Sequence, residues 1–344
     1  MNHRTEWVDY AKAIGIILVV YGHVARGVFN AGINFPEPIF QLVDSVIYSF
    51  HMPLFFFLSG LFFYSSFAKR GAMKFVSSKV DTIFYPYVVW SILQGGIEIF
   101  LSSYTNGNVL FEDVISFLWA PRAQFWFLYT LFFVCVFSSF VYLFSPKRLT
   151  LVFLAFSVFI YIFPTVVPDF RLLHLVANNL VFFALGIVFT LYIKVEYFSR
   201  IPVFFGILCS FVFSQWFFHC HYDLLYTDRN VWLLLLSFIS ILFLVSVSTL
   251  LAKNNFKVLV IVGQSSMAIY LMHIIAGSGA RIFLSKFLGV DNVLAHLIFG
   301  CFVAILAPLV GLLLINKIKV PFLFSAPISS LLFSVCKKYK GAAG

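Results

Sequence analysis

The chain predicts an all-α, polytopic integral membrane protein of about ten transmembrane helices, and three observations lead there. It has 344 residues, of which 62% are hydrophobic and only 10% charged, and its mean hydropathy is +1.01. No soluble domain needs so much apolar surface. Apolar stretches of spanning length recur from end to end. Lys and Arg alternate between dense and sparse loops, as they do when cytoplasmic loops collect positive charge.

In chain order the spans fall at about 9–29, 40–64, 83–104, 125–145, 149–166, 172–192, 202–218, 232–251, 265–286 and 294–315. The first begins with Asp9 and Lys12 and carries His23 near its far end. The second holds His51 and Pro53 within its apolar run, and the third holds Gly95-Gly96. Such breaks are tolerated where the backbone is buried in protein or lines water. The third also has a polar stripe, because Glu98 lies four residues after Gln94 and seven after Ser91. The fourth opens on Trp126-Phe127-Leu128, which composition alone reads as an interfacial aromatic belt. The ninth contains Tyr270-Leu271-Met272-His273.

Loop charges orient the bundle. One side carries Arg4, then Lys69, Arg70, Lys74 and Lys79, then Lys147 and Arg148, Lys194 and Arg200, Lys253 and Lys257, and finally Lys317, Lys319, Lys337, Lys338 and Lys340. The other carries only Arg26, Arg122, Arg171, Arg229, Arg281 and Lys286. The rich side is expected to be cytoplasmic. An even number of spans returns both termini to it. The chain reads as a single transmembrane domain over 1–344, with a helical bundle at about 9–315 and a cytoplasmic tail at about 316–344. The apolar spans leave no room for a separate soluble domain.

The net charge of +10 follows from these loops and does not point to nucleic acid. Cys135, Cys209, Cys220, Cys301 and Cys336 form no CxxC pair, so neither a disulfide framework nor a metal site is expected. No cleavable signal pattern precedes the first span.

Ionisable groups inside an apolar span cost several kcal/mol each and are seldom placed there without a role. An 11-residue step brings a helix back to nearly the same face, so Lys12 and His23 share a stripe about 16 Å apart along the axis. Asp9 and Lys12 are three apart and can pair. His51 and His273 are expected near mid-membrane, at a depth comparable to His23, and three His on three helices suggest one polar cavity. His is also the side chain best suited to move a proton near neutral pH. The competing account of each is a buried His bonded to a neighbouring helix, and for Glu98 an interhelical hydrogen bond. For Lys69, Arg70, Lys74 and Lys79 the choice lies between topology with anionic lipid and a docking surface for a cytosolic polyphosphate.

Four strings occur in order along nearly the whole chain: Asp9-Tyr10-Ala11-Lys12 through Gly22-His23, Phe50-His51-Met52-Pro53 through Ser59-Gly60, Trp126-Phe127-Leu128, and Tyr270-Leu271-Met272-His273. Together they resemble the acyltransferase 3 family of membrane O-acyltransferases. The lysine form of the first string, with the His-Met-Pro string, is similar to the branch likened to fucose 4-O-acetylases; many better-known members of the family have Arg where this chain has Lys12. The resemblance implies acetyl-CoA or another acyl-CoA as donor from the cytoplasmic side. It also implies a glycan or lipid-linked sugar hydroxyl as acceptor, and a bacterial inner (plasma) membrane location. No appended esterase-like domain is expected. Catalytic weight falls on His23, with roles for Lys12 and Asp9. His51, His273, Glu98, Ser59 and Trp126 are expected to contact substrate, and Lys69, Arg70, Lys74 and Lys79 to hold CoA. A hydroxyl ionises far above neutral pH, so its attack on a thioester needs a base. A transporter or flippase of a lipid-linked sugar would also place ions in the membrane, but such proteins often carry internal repeats and none is visible. A structural or assembly protein is the third reading, and it would not require His23.

Overall fold

The computed structural model describes residues 3–100, 111–144 and 148–330, with side chains from Glu6 onward. Among the described residues every regular element is helical. In order these are α1 (His3–Asn30), α2 (Glu37–Tyr48), α3 (His51–Leu61), α4 (Phe63–Arg70), α5 (Ala72–Lys79), a π-helical turn (Val80–Phe84) and α6 (Tyr85–Phe100). There follow α7 (Phe111–Ile115), α8 (Trp126–Phe144), α9 (Thr150–Ile162), α10 (Arg171–Tyr192) and α11 (Ile201–Trp216). The last are α12 (Val231–Leu251), α13 (Lys257–Gln264), α14 (Ser266–Ile282) and α15 (Val293–Ile318).

Nine helical stretches among the described residues are long and apolar enough to cross a membrane, and the protein is an all-α polytopic membrane protein. The fifth expected span, at 149–166, is a helix of 13 residues, α9. Its rise is about 20 Å, short of a hydrocarbon core of roughly 30 Å. Lys147, Cys336, Lys337, Lys338, Lys340 and the side chain of Arg4 lie outside the described residues. So do the distal ends of the third and fourth expected spans.

The chain divides into two compact units. Of the described residues, one unit takes 3–58 and 189–317, and the other takes 59–100, 111–144, 148–188 and 318–330. In the first unit α1 packs against α2, α12, α13 and α14. Beyond Trp7 and Tyr10 its buried residues are small or branched, among them Ala11, Ala13, Ile16, Val19 and Val20, which lets neighbouring backbones come near. At Gly263 a Cβ would collide with the Asp9 carbonyl oxygen, so that close approach needs glycine. The outer helices behave differently. No residue of α11 is buried, and α15 exposes Ile298, Phe302, Leu306 and Val310, four residues apart. Exposed apolar stripes suit a bilayer, where lipid tails solvate them.

Pro53 accounts for the gap between α2 and α3. Proline has no N–H to give the carbonyl four residues earlier, here that of Ser49. The Ser237 hydroxyl, 2.5 Å away on α12, donates to that oxygen; it also lies 2.8 Å from Leu233 O. Inside a membrane a freed carbonyl must find such a partner.

The second unit is built on aromatic packing. Phe63 sits 5.2 Å from Phe75, 5.2 Å from Tyr142 and 5.4 Å from Phe183, ring centroid to centroid. Each such pair contributes about 0.5–1.5 kcal/mol beyond area burial. The break expected at Gly95-Gly96 is absent, since α6 runs on through both. Gly95 is instead a packing site, where Val114 occupies the space a Cβ would take. The irregular turn falls earlier, at Val80–Phe84. There Asp81 accepts from Ser329 N at 2.8 Å and from the Ser329 hydroxyl at 2.5 Å. Trp90 donates to Leu323 O at 2.9 Å. The described part of the tail is therefore held against the third span.

Candidate active site

The first unit brings together two of the three histidines singled out by sequence. His23 on α1 and His273 on α14 have ring centroids 5.1 Å apart, inclined at 60°. His51 opens α3 and is 1% exposed, as is His273; it lies within electrostatic range of His23.

Hydrogen bonds set the tautomers. His273 Nδ1 is 2.8 Å from Tyr270 O and 3.1 Å from Ile269 O, and His51 Nδ1 is 2.8 Å from Ile47 O. A carbonyl oxygen only accepts, so each Nδ1 carries the proton in the neutral ring and Nε2 keeps its lone pair. His273 Nε2 is buried with no partner among the described residues. A lone pair held this way can accept a proton or orient a donor.

A second cluster adjoins them. Arg26, one helical turn past His23, grips Asp44 with Nε to Oδ1 and Nη2 to Oδ2, both at 2.8 Å. Arg26 Nη2 also donates to the Tyr226 hydroxyl at 2.9 Å. The Asp44 side chain is 10% exposed, so this charge is desolvated and needs such a bidentate partner. The Arg26 guanidinium lies 3.4 Å from the centre of the Tyr48 ring. Tyr48 in turn meets His51 edge to face, with centroids 4.4 Å apart. Sequence reasoning placed Arg26 only among the outer loop charges and passed over Asp44, Tyr48 and Tyr226. The available signal was spacing: Arg26 is three after His23, and Tyr48 three before His51, the interval at which helical side chains meet.

Asp9 and Lys12 pair with each other at 3.5 Å, and Gln264 Nε2 donates to Asp9 Oδ2 at 3.2 Å. Both sit on α1, some seven residues or more from Val19 and about 16 Å or more from His23 along the axis. They do not touch the histidine pair. Through Gln264 the pair is tied to α13.

The remaining candidates belong to the second unit. Glu98 accepts from Gln94 at 2.8 Å and pairs with Arg122 at 3.4 Å, while Gln124 Nε2 donates to Gln94 Oε1 at 2.6 Å. Ser91, Gln94, Glu98 and Arg122 line a cavity of about 10 Å³, room for about one water. Arg122 and Gln124 were not anticipated as partners of Glu98. Ser59 and Trp126 are half-buried. Lys69, Arg70 and Lys74 are exposed and Lys79 half-buried, on the hairpin of α4 and α5. Arg70 donates to the Ser78 hydroxyl at 3.1 Å, and Lys79 lies 5.1 Å from the Phe75 ring centre. Among the described residues no group of three His, Cys, Asp or Glu side chains is disposed to hold a metal ion.

Residues 5–313 match a family described as an acyltransferase domain. The nodulation protein NolL of Sinorhizobium fredii is 30% identical over 134 residues, a stretch that covers 36% of this chain and 36% of NolL. No solved structure is significantly similar to the chain.

Proposed function

Since the chain belongs to the acyltransferase 3 family, we propose that it moves an acetyl or other short acyl group from acyl-CoA to a hydroxyl of a cell-surface or lipid-linked glycan. The observation that carries this reading is the histidine pair, with its buried, unpartnered His273 Nε2 5.1 Å, centroid to centroid, from the His23 ring. In this reading His273 orients the His23 ring during the reaction, and His23 takes the acceptor's proton. This is the arrangement of a base oriented by a third group. His51, edge to face with Tyr48, contacts substrate beside the pair. Lys12 and Asp9 handle a distant part of the donor. Ser59, Glu98 and Trp126 contact the acceptor, and Lys69, Arg70, Lys74 and Lys79 hold the CoA phosphates. The whole of 1–344 works as one catalytic domain, of the fucose 4-O-acetylase-like branch, with cytoplasmic termini in a bacterial inner membrane.

The test uses purified full-length protein in detergent with radiolabelled acetyl-CoA and an extract of lipid-linked sugars. Release of free CoA, with alkali-labile label in the sugar fraction, is expected. No turnover above the boiled control overturns the reading.

A further inference from the structure

The hydroxyl oxygen of Tyr48 is buried and has no hydrogen-bond partner among the described residues. Proteins rarely leave a buried hydroxyl unpaired, and each case asks for an explanation. Here the ring is held from several directions while its polar end is left free. Arg26 lies over one face at 3.4 Å, and His51 meets it edge to face. Tyr226 lies 5.3 Å away, centroid to centroid, with its own backbone N–H donating to the Ser45 hydroxyl at 2.8 Å. Arg26 cannot turn elsewhere, because Asp44 and Tyr226 engage its fork.

The hydroxyl has a definite address. A Cβ on Gly22 would fall 2.8 Å from a Tyr48 ring carbon and 3.4 Å from its oxygen. Gly22 is thus the gap in α1 that admits the phenol, and the next residue is His23. A preorganised donor with no partner of its own, packed on the helix that carries the base, is what a developing oxyanion requires. We propose that the Tyr48 hydroxyl donates a hydrogen bond to the oxyanion of the acyl-transfer intermediate, an assignment that rests on the acyltransferase reading above. The acceptor oxygen bonds to the thioester carbonyl carbon as its proton passes to His23, and the carbonyl π pair moves onto oxygen. Tyr48 O–H donates to that oxygen. The carbonyl then re-forms, the C–S bond breaks, and the departing CoA thiolate takes the proton from His23.

Tyr48→Phe removes one oxygen and keeps the ring contacts. If the hydroxyl were only structural, it would have a partner and its loss would destabilise the fold. Turnover and melting temperature are measured on purified Tyr48→Phe and wild-type protein, with radiolabelled acetyl-CoA and the lipid-linked sugar extract. The expected result is a turnover number about 10²-fold lower, with the Michaelis constant for acetyl-CoA and the melting temperature unchanged or the latter raised. A variant that keeps more than half the wild-type turnover, or that loses its melting transition, overturns the role of Tyr48 while wild-type activity stands. A wild type that releases no CoA overturns the acyltransferase reading itself.

Discussion

His23 is half-buried in an apolar helix, and its usefulness depends on what faces its two nitrogens. The backbone carbonyls of Ile269 and Tyr270 decide the tautomer of His273, and His273 is the partner of His23 that spacing along α1 could not reveal. His23→Ala is expected to lower acyl transfer by about 10² to 10⁴ while the protein stays monodisperse in detergent. Initial rates of CoA release measure it, and more than about a tenth of wild-type activity in the variant would remove His23 from the role of base. Lys12 and His23 share a stripe, as the 11-residue step requires. The same step separates them by about 16 Å, so a shared face did not mean a shared contact. Glu98, read from a polar stripe, does bond Gln94 within that stripe. Its Arg122 partner comes 24 residues later, and no helical spacing points to it.

Among the elements, the α4–α5 hairpin concentrates cations on a short exposed segment, with Lys69, Arg70 and Lys74 open to solvent. Exposed cations that grip phosphates bind substrate and transition state alike, so they act on the Michaelis constant. Replacing Lys69, Arg70 and Lys74 with Gln is expected to raise that constant for acetyl-CoA severalfold and leave the turnover number near wild type. Steady-state kinetics decides it: a fall in turnover alone would rule out docking, and unchanged kinetics would leave the cluster to topology and lipid. The break at Pro53 was legible because proline withholds an N–H from any helix. Its repair by Ser237 was not, since that hydroxyl arrives 188 residues later in the chain. Gly95-Gly96 misled for the related reason that glycine serves both for bending and for close packing, and Val114 decides which.

At the scale of the whole molecule, orientation follows from charge. Every loop expected on the cytoplasmic side carries Lys or Arg, and translocating those charges is disfavoured. A periplasm-active reporter fused after Gly344 is expected to give no signal, and a strong signal would reverse the assignment. Of the ten expected spans, α9 matters most to this count, because 13 residues reach across only part of a bilayer. Mismatch of this size is met by thinning the bilayer or by flanking residues that reach the interface.

The class, the approximate spans and the residues worth suspecting can be read along the chain. Bilayer thickness dictates the length of an apolar run, and the cost of burying charge makes each intramembrane His, Lys or Glu conspicuous. Both are properties of single segments and can be read along a line. Which suspects meet is a matter of the folded arrangement. It joined His23 to His273, bound Arg26 to Asp44 and Tyr226, and left Tyr48 with a free hydroxyl over Gly22. Those relations depend on helix rotation and depth between segments up to 250 residues apart, His23 to His273. These are set by side-chain packing and close backbone approach, and no local pattern encodes them.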